Sequence, residues 1–184
     1  MKMGGSRAPA GGQHLAFVAL GSNLGNSRDL IRRAVDRLRL LSVAPLLESS
    51  LWQSSPVDCP PGSPLFVNAV AGLVPSAEET PESLLSMLKS LEAEFGRQPK
   101  QVLNEPRCLD LDLITFGGVI RSSQRLILPH PRAHLRRFVL EPLHEIAPDC
   151  ILPLQTKTIA QLLSEMEETE TVIRLDPRAS RSCW

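Results

Sequence analysis

Residues 107–118, R-C-L-D-L-D-L-I-T-F-G-G, constrain the fold more than any other stretch of the chain. Leu109, Leu111 and Leu113 alternate with Asp110 and Asp112, and that period of two belongs to a β-strand with one buried face. Strands avoid aspartate, and two carboxylates two residues apart on one face stand about 7 Å from each other. At an effective dielectric near 20 they repel by about 2 kcal/mol. An amphipathic edge strand that turns its polar side to water would tolerate them. A divalent cation would relieve them, and a pair of oxygen ligands favours a hard ion, Mg²⁺ before Zn²⁺. Mg²⁺ held by one or two carboxylates usually completes its shell with water and substrate phosphates.

The flanking segments say what such a strand sits in. The apolar run HLAFVAL (14–20) suits a buried central strand and breaks at the turn-forming loop G-S-N-L-G-N (21–26). Leu30, Ile31, Ala34, Val35, Leu38 and Leu41 then recur at helical spacing behind a cap at Asn26 or Ser27. Five arginines on this helix spread around the wheel, the pattern of a solvated surface. Residues 43–55 read as extended, and S-P-V-D-C-P-P-G-S-P (55–64) is a Pro/Gly-rich loop long enough to carry function. F-V-N-A-V-A-G-L-V-P (66–75) is strand-like. Thr80 as cap and Pro81 at the first position announce a second helix that ends at Gly96. After the aspartate strand come Gly117-Gly118, short strands closed by Pro129-His130-Pro131, a helix from near Arg136 and another over roughly 157–168. The order strand–helix–strand–strand–helix–strand, with helices appended, predicts an α+β ferredoxin-like three-layer sandwich with a mostly antiparallel central sheet.

The chain has 184 residues, of which 42% are hydrophobic and 22% charged, the profile of one globular domain. Twenty basic residues balance twenty acidic ones, which argues against a dedicated nucleic-acid binder. No run has the length of a membrane-spanning helix, and residues 1–13 lack the apolar core of a secretory signal. Residues 1–13 and 169–184 read as flexible tails around a domain at 14–168. Cys59, Cys108, Cys150 and Cys183 show no zinc spacing, so free thiols in a reduced cytoplasmic setting are expected. A monomer or weak dimer is expected.

Cations gather near the aspartates in sequence: Arg97 and Lys100 in the preceding loop, Arg107 three residues before Asp110, then His130, Arg132, His134, Arg136 and Arg137. Arginine grips phosphate oxygens bidentately, and a mixed Arg/His group beside a carboxylate pair is what an ATP·Mg²⁺ site needs. The chain has no G-x-x-x-x-G-K-[ST] and no protein-kinase signature. From these residues alone, a nucleotide-handling enzyme competes with a non-catalytic ferredoxin-like module that binds nucleotide or RNA.

Four motifs occur in order: L-G-S-N-L-G (20–25), F-V-N-A-V (66–70), P-R-C-L-D-L-D-L (106–113), and L-P-H-P-R (128–132) followed by R-F-V-L-x-P-L-x-E-I-A-P (137–148). Together they resemble the 6-hydroxymethyl-7,8-dihydropterin pyrophosphokinase family over residues 15–155. The resemblance implies diphosphate transfer from ATP to the pterin hydroxymethyl group with release of AMP, in folate biosynthesis, with small-molecule substrates and neither nucleic acid nor membrane as partner. It implies two Mg²⁺ ions on Asp110 and Asp112. It assigns ATP contacts to Arg97, Arg107, His130 and Arg136, with Arg125 on the adenosine side. Pterin would lie between Phe66 and Phe138, hydrogen-bonded by Asn68 and by the backbone of Ser55, Pro56 and Val57. The chain departs from the family where many members carry Arg-Trp-Gly and this one has Leu103-Asn104-Glu105. It departs again at Pro99, where some members have a second arginine, and at Asp58-Cys59. An inactive homologue is the further alternative that these departures raise.

Overall fold

The computed structural model describes residues 14–97, 106–167 and 170–175. The departures at Pro99 and Leu103-Asn104-Glu105, together with Lys100, lie outside the described residues. The chain runs β1 (Ala16–Ser22), α1 (Ser27–Arg39), β2 (Leu47–Glu48), β3 (Trp52–Ser54), β4 (Phe66–Leu73), α2 (Pro81–Glu94) and β5 (Asp110–Phe116). A small hairpin follows, β6 (Arg121–Ser122) and β7 (Ile127–Leu128), then a 3-10 turn (Ala133–Leu135), α3 (Arg137–Ile146), α4 (Ile159–Glu165) and β8 (Val172–Arg174). The main sheet has the order β5-β1-β4-β3-β8, with β2 also on β4, and every pairing in it is antiparallel. This is the ferredoxin-like arrangement that the element order predicts, extended by one strand.

Helices cover both faces. On one, Ile31 and Leu38 of α1 and Leu84 and Leu88 of α2 pack against Leu109, Leu111 and Leu113, all buried. On the other, Val139, Leu140 and Leu143 of α3 and Ile159 of α4 pack against Phe17, Val70 and Ile114. Each such side chain contributes roughly 1.5–3 kcal/mol on burial. The three leucines of the aspartate strand therefore hold β5 to the α1/α2 layer, and its aspartates face the α3 side.

The strand carries one irregularity. Val18 stands opposite Leu113 while Phe17 stands opposite Thr115, so Ile114 is an extra residue, a β-bulge. The Ile114 carbonyl accepts the His130 backbone N–H at 2.8 Å. The bulge thus seats the Pro129-His130-Pro131 segment beside the aspartates.

Two expectations need correction. The fourth helix is shorter than 157–168: Thr158 caps it by accepting from the Gln161 amide, and it ends at Glu165. Part of the expected C-terminal tail, Val172–Arg174, is an edge strand on β3. The Leu175 amide donates to the Leu51 carbonyl at 2.7 Å, and Arg174 reaches Glu145 of α3 at 2.7 Å. The Glu145 carboxylate also accepts from the Ser50 amide (2.9 Å), the Ser50 hydroxyl (2.7 Å) and the Trp52 indole (3.1 Å), and so ties three elements together.

Burial acts to raise the Glu145 carboxyl, but the hydrogen bonds from Ser50 and Trp52 and the Arg174 charge outweigh it and hold it below the ordinary range. A depressed carboxylate stabilises the fold above its unfolded-state pKa, and that contribution is lost as pH falls through the folded value. Glu145→Gln is expected to cost about 2 kcal/mol at pH 7 and progressively less as pH falls below the ordinary glutamate range. Denaturant melts over this pH range check this.

Candidate active site

The cleft lies over the α3 face of the sheet, and its floor follows from strand register. Gly21 of β1 stands between Asp110 on one neighbouring strand and Asn68 on the other. One row along, Ala19 stands between Asp112 and Val70. Direct partners in an antiparallel sheet point to the same side, so Asp110 and Asn68 rise on either side of a residue with no side chain. Two strand spacings separate them by about 10 Å. A cavity of about 290 Å³ opens above this floor.

At the carboxylate end, Arg97 Nη1 lies 2.5 Å from Asp110 Oδ1 and Arg107 Nη1 lies 2.8 Å from Asp110 Oδ2. Burial alone would raise the Asp110 carboxyl, but Arg107 and Arg97, with Lys89 behind them, hold it below the usual carboxylate range. Two guanidiniums therefore relieve the like-charge repulsion that the sequence raises, at least on the Asp110 side. The Asp112 side chain makes no hydrogen bond or ion pair with another described residue.

Local structure explains how each arginine arrives. At the end of α2, Gly96 has φ +87°, the Arg97 amide donates to the Glu92 carbonyl (3.0 Å) and the Gly96 amide to the Ala93 carbonyl (3.0 Å). This pair of bonds is a Schellman cap, and it turns the chain so that Arg97 returns alongside Glu92. The Arg97 guanidinium bonds to the buried Glu92 carboxylate as well as to Asp110. Burial pulls the guanidinium pKa down, but Asp110 and Glu92 more than offset it, so it stands above its ordinary value. Arg107 is seated by the 21–26 loop: the Asn23 side-chain oxygen accepts the Arg107 amide at 2.8 Å, and the Asn23 amide donates to the Arg107 carbonyl at 3.1 Å. Asn23→Ala leaves one buried amide unmatched, so a stability loss of about 1–3 kcal/mol is expected. It is expected to weaken binding of inorganic triphosphate too, since Arg107 loses its seat. Thermal melts and calorimetry check both.

His130, Arg132 and Arg136 form the facing wall. Burial lowers the His130 pKa; Asp112 opposes this, and Arg136 and Arg132 add to it, so the imidazole is neutral at pH 7. Its Nδ1 accepts the Arg132 amide at 3.3 Å, which leaves the ring proton on Nε2. At the far end, Asn68 is 4% exposed and its amide nitrogen donates to Ser54 Oγ at 2.9 Å, which fixes the orientation of the amide. Phe66 lies with Asn68 over Gly21, and Phe138 lines the cleft with its ring centre 5.4 Å from the Arg136 guanidinium. Asp58 closes the rim in a left-handed conformation (φ 53°), 3.8 Å from Arg132.

Of the residues singled out from sequence, Arg97, Arg107, Asp110, Asp112, His130, Arg136, Ser55, Val57, Phe66, Asn68 and Phe138 all line this one cleft. Pro56 and Arg125 do not line it; Arg125 is exposed in the turn of the β6–β7 hairpin. The structure adds Lys89, Asp58, Cys59 and Ser54 to the lining, and Glu92 behind it. The spacing E-x-x-x-G-R at 92–97 is the one signal that could have pointed to Glu92. Cys108, half-buried, makes no contribution to the lining.

The donor set fits Mg²⁺ of the substrate-bridging kind. Among the described residues no group of three or more His, Cys, Asp or Glu side chains could hold a metal by itself. Two carboxylates beside a ring of phosphate-binding cations can do so only with oxygens from a ligand, which is how Mg²⁺ is commonly held. No helix of the described residues is long and apolar enough to cross a membrane.

Comparison with known proteins supplies the family. Residues 17–148 match the model of 7,8-dihydro-6-hydroxymethylpterin-pyrophosphokinase. The chain is 37% identical over 163 residues to the 2-amino-4-hydroxy-6-hydroxymethyldihydropteridine pyrophosphokinase of Haemophilus influenzae, covering 88% of this chain and 98% of the relative. It is also 37% identical over 150 residues to a folic acid synthesis protein of Pneumocystis carinii, covering 82% of this chain but only 20% of that longer protein. The fold matches a crystal structure of Plasmodium falciparum HPPK-DHPS with pteroate at a TM-score of 0.63 and 14% identity, over 82% of this chain and 42% of that one. Fold, cleft and family model agree: the chain belongs to the 7,8-dihydro-6-hydroxymethylpterin-pyrophosphokinase family.

Proposed function

We propose that the protein transfers the terminal diphosphate of ATP to the hydroxymethyl oxygen of 6-hydroxymethyl-7,8-dihydropterin and releases AMP, a step of folate biosynthesis. The observation that carries this reading is the sheet row Asp110–Gly21–Asn68, which sets a phosphate-and-metal end and a heterocycle end about 10 Å apart. The pterin hydroxyl oxygen forms a bond to the β-phosphorus, the bond from that phosphorus to the α,β-bridging oxygen breaks, AMP departs with that oxygen, and the hydroxyl proton goes to solvent. Mg²⁺, two ions held by Asp110, Asp112 and phosphate oxygens, would neutralise charge and align the attacking and leaving oxygens.

The chain's own residues do the rest. Phe66 and Phe138 hold the ring, and the fixed Asn68 amide reads its edge. Ser55 and Val57 line the cleft; with Pro56 they would supply backbone contacts to the pterin. Arg97, Arg107 and Arg136 grip phosphates, with neutral His130 donating from Nε2. Arg125 on its hairpin would reach the adenosine side from outside the cleft. The unit that acts is one domain over residues 14–168, with β8 added to its edge, working as a monomer or weak dimer in the cytoplasm. AMP is expected only when ATP, Mg²⁺ and the pterin are all present; AMP release in excess EDTA or without pterin contradicts the reading.

A further inference from the structure

The aspartate strand β5 is an edge of the sheet, so the amides on its outer side have no neighbouring strand to receive them. The Leu111 amide, between Asp110 and Asp112, donates instead to Glu92 Oε1 of α2 at 2.7 Å. Glu92 is 2% exposed, a burial that a carboxylate tolerates only with partners. It has three. Besides Leu111, Lys89 Nζ stands 3.0 Å from each of its oxygens, and Arg97 Nη1 bonds to Oε1.

The same Arg97 nitrogen lies 2.5 Å from Asp110 Oδ1, so it bridges a carboxylate behind the cleft and one inside it. Glu92 does not line the cleft, while Lys89, Arg97 and Asp110 do. Without Glu92 the whole of the Arg97 charge would fall on Asp110, a carboxylate that a divalent cation would also need.

We propose that Glu92 is a positioning residue for the metal-binding carboxylates: it clamps the Leu111 amide that spaces Asp110 from Asp112 and takes up part of the Arg97 and Lys89 charge that would otherwise fall on them. The inference rests on the proposed activity and adds a residue that touches neither substrate. Divalent-ion affinity, more than pterin affinity, depends on it, because Asn68 and Phe66 stand across Gly21 from Asp110 and touch neither Glu92 nor its cations.

Glu92→Gln tests it, since an amide oxygen can still accept from Leu111 but no longer holds two cations. Four readouts are taken on the full chain: binding of a non-cleavable ATP analogue by calorimetry at stepped Mg²⁺, pterin binding, thermal melting, and exchange of the Leu111 amide by NMR. Expected for Glu92→Gln is a rise of about tenfold or more in the Mg²⁺ needed for half-maximal analogue binding, with pterin affinity within about twofold and Leu111 still protected. Glu92→Gln/Lys89→Gln, which removes one released cation, is expected to recover part of the Mg²⁺ response. Glu92→Ala is expected to expose the Leu111 amide to exchange as well.

An unchanged Mg²⁺ response in Glu92→Gln overturns the inference, as does a loss of pterin affinity in step with the melting temperature, the mark of a merely structural role. A wild-type protein that binds the analogue equally well without Mg²⁺ brings down the activity and the inference together.

Discussion

Asp112→Ala is expected to lower turnover by about a thousandfold or more while leaving the folded state intact. The two halves of this expectation come from different facts. Asp112 is one of only two carboxylates on the cleft face of β5, so its loss halves the protein's ligands for the cation. Yet its side chain makes no hydrogen bond or ion pair with another described residue, so no hydrogen-bonded partner is abandoned. Removing one of two like charges about 7 Å apart relieves repulsion while forfeiting the attraction of Asp112 for Arg136 and Arg97, so the two changes offset and the net effect on stability is small. Pterin affinity should be unchanged, because Asn68 and the two phenylalanines are untouched. Turnover within tenfold of wild type, or a large drop in melting temperature, would contradict the assignment. Asp110→Ala is a less clean experiment, because it strips a shared partner from Arg97 and Arg107.

The second large effect lies at Arg97, where activity and stability fall together. Its guanidinium is a phosphate grip on the proposed mechanism and, with Lys89, one of two counter-charges to a glutamate that is 2% exposed. Arg97→Met is expected to destabilise the protein by about 3 kcal/mol, since Glu92 is left buried with Lys89 as its one remaining cation. Turnover is expected to fall by a factor on the order of 10² to 10³, the usual cost of removing one transition-state donor. Arg97→Lys should recover part of the stability, since one nitrogen bridges both carboxylates, but little of the rate, because an ammonium does not reproduce the planar fork that grips phosphate oxygens bidentately. Chemical denaturation and steady-state kinetics on the same preparations separate the two effects. Loss of rate with no loss of stability would mean that Glu92 does not depend on Arg97.

How far these features could be read from the sequence depends on how local their causes are. The aspartate strand was legible because alternation is a two-residue signal, and α2 because Thr80, Pro81 and Gly96 mark its ends. The element order then led to the sheet. Most of the site residues came from motif resemblance, and the structure brings them into one cleft.

Tertiary placement accounts for what stayed hidden. Glu92 acts through a hydrogen bond to a residue nineteen positions away, and nothing in its own helix announces that. The bulge at Ile114 shows only in the register between β1 and β5. β8 is three residues long and gains its place from Arg174 reaching Glu145 and Ser50, partners far away in sequence. Arg107 reads in the sequence as a phosphate ligand; in the fold it is also bonded to Asp110, a partner that only the tertiary structure shows.

The proposed chemistry has one feature that separates it from ordinary kinase action, which is the bond that breaks in ATP. Phosphorus-31 NMR of the protein incubated with ATP, Mg²⁺ and 6-hydroxymethyl-7,8-dihydropterin reads that bond directly, with Asp112→Ala as the blank. The account predicts one AMP for each ATP consumed, matched by a diphosphate ester of the pterin and absent from the blank. ADP with a pterin monophosphate, or AMP formed equally well by the blank, would contradict it.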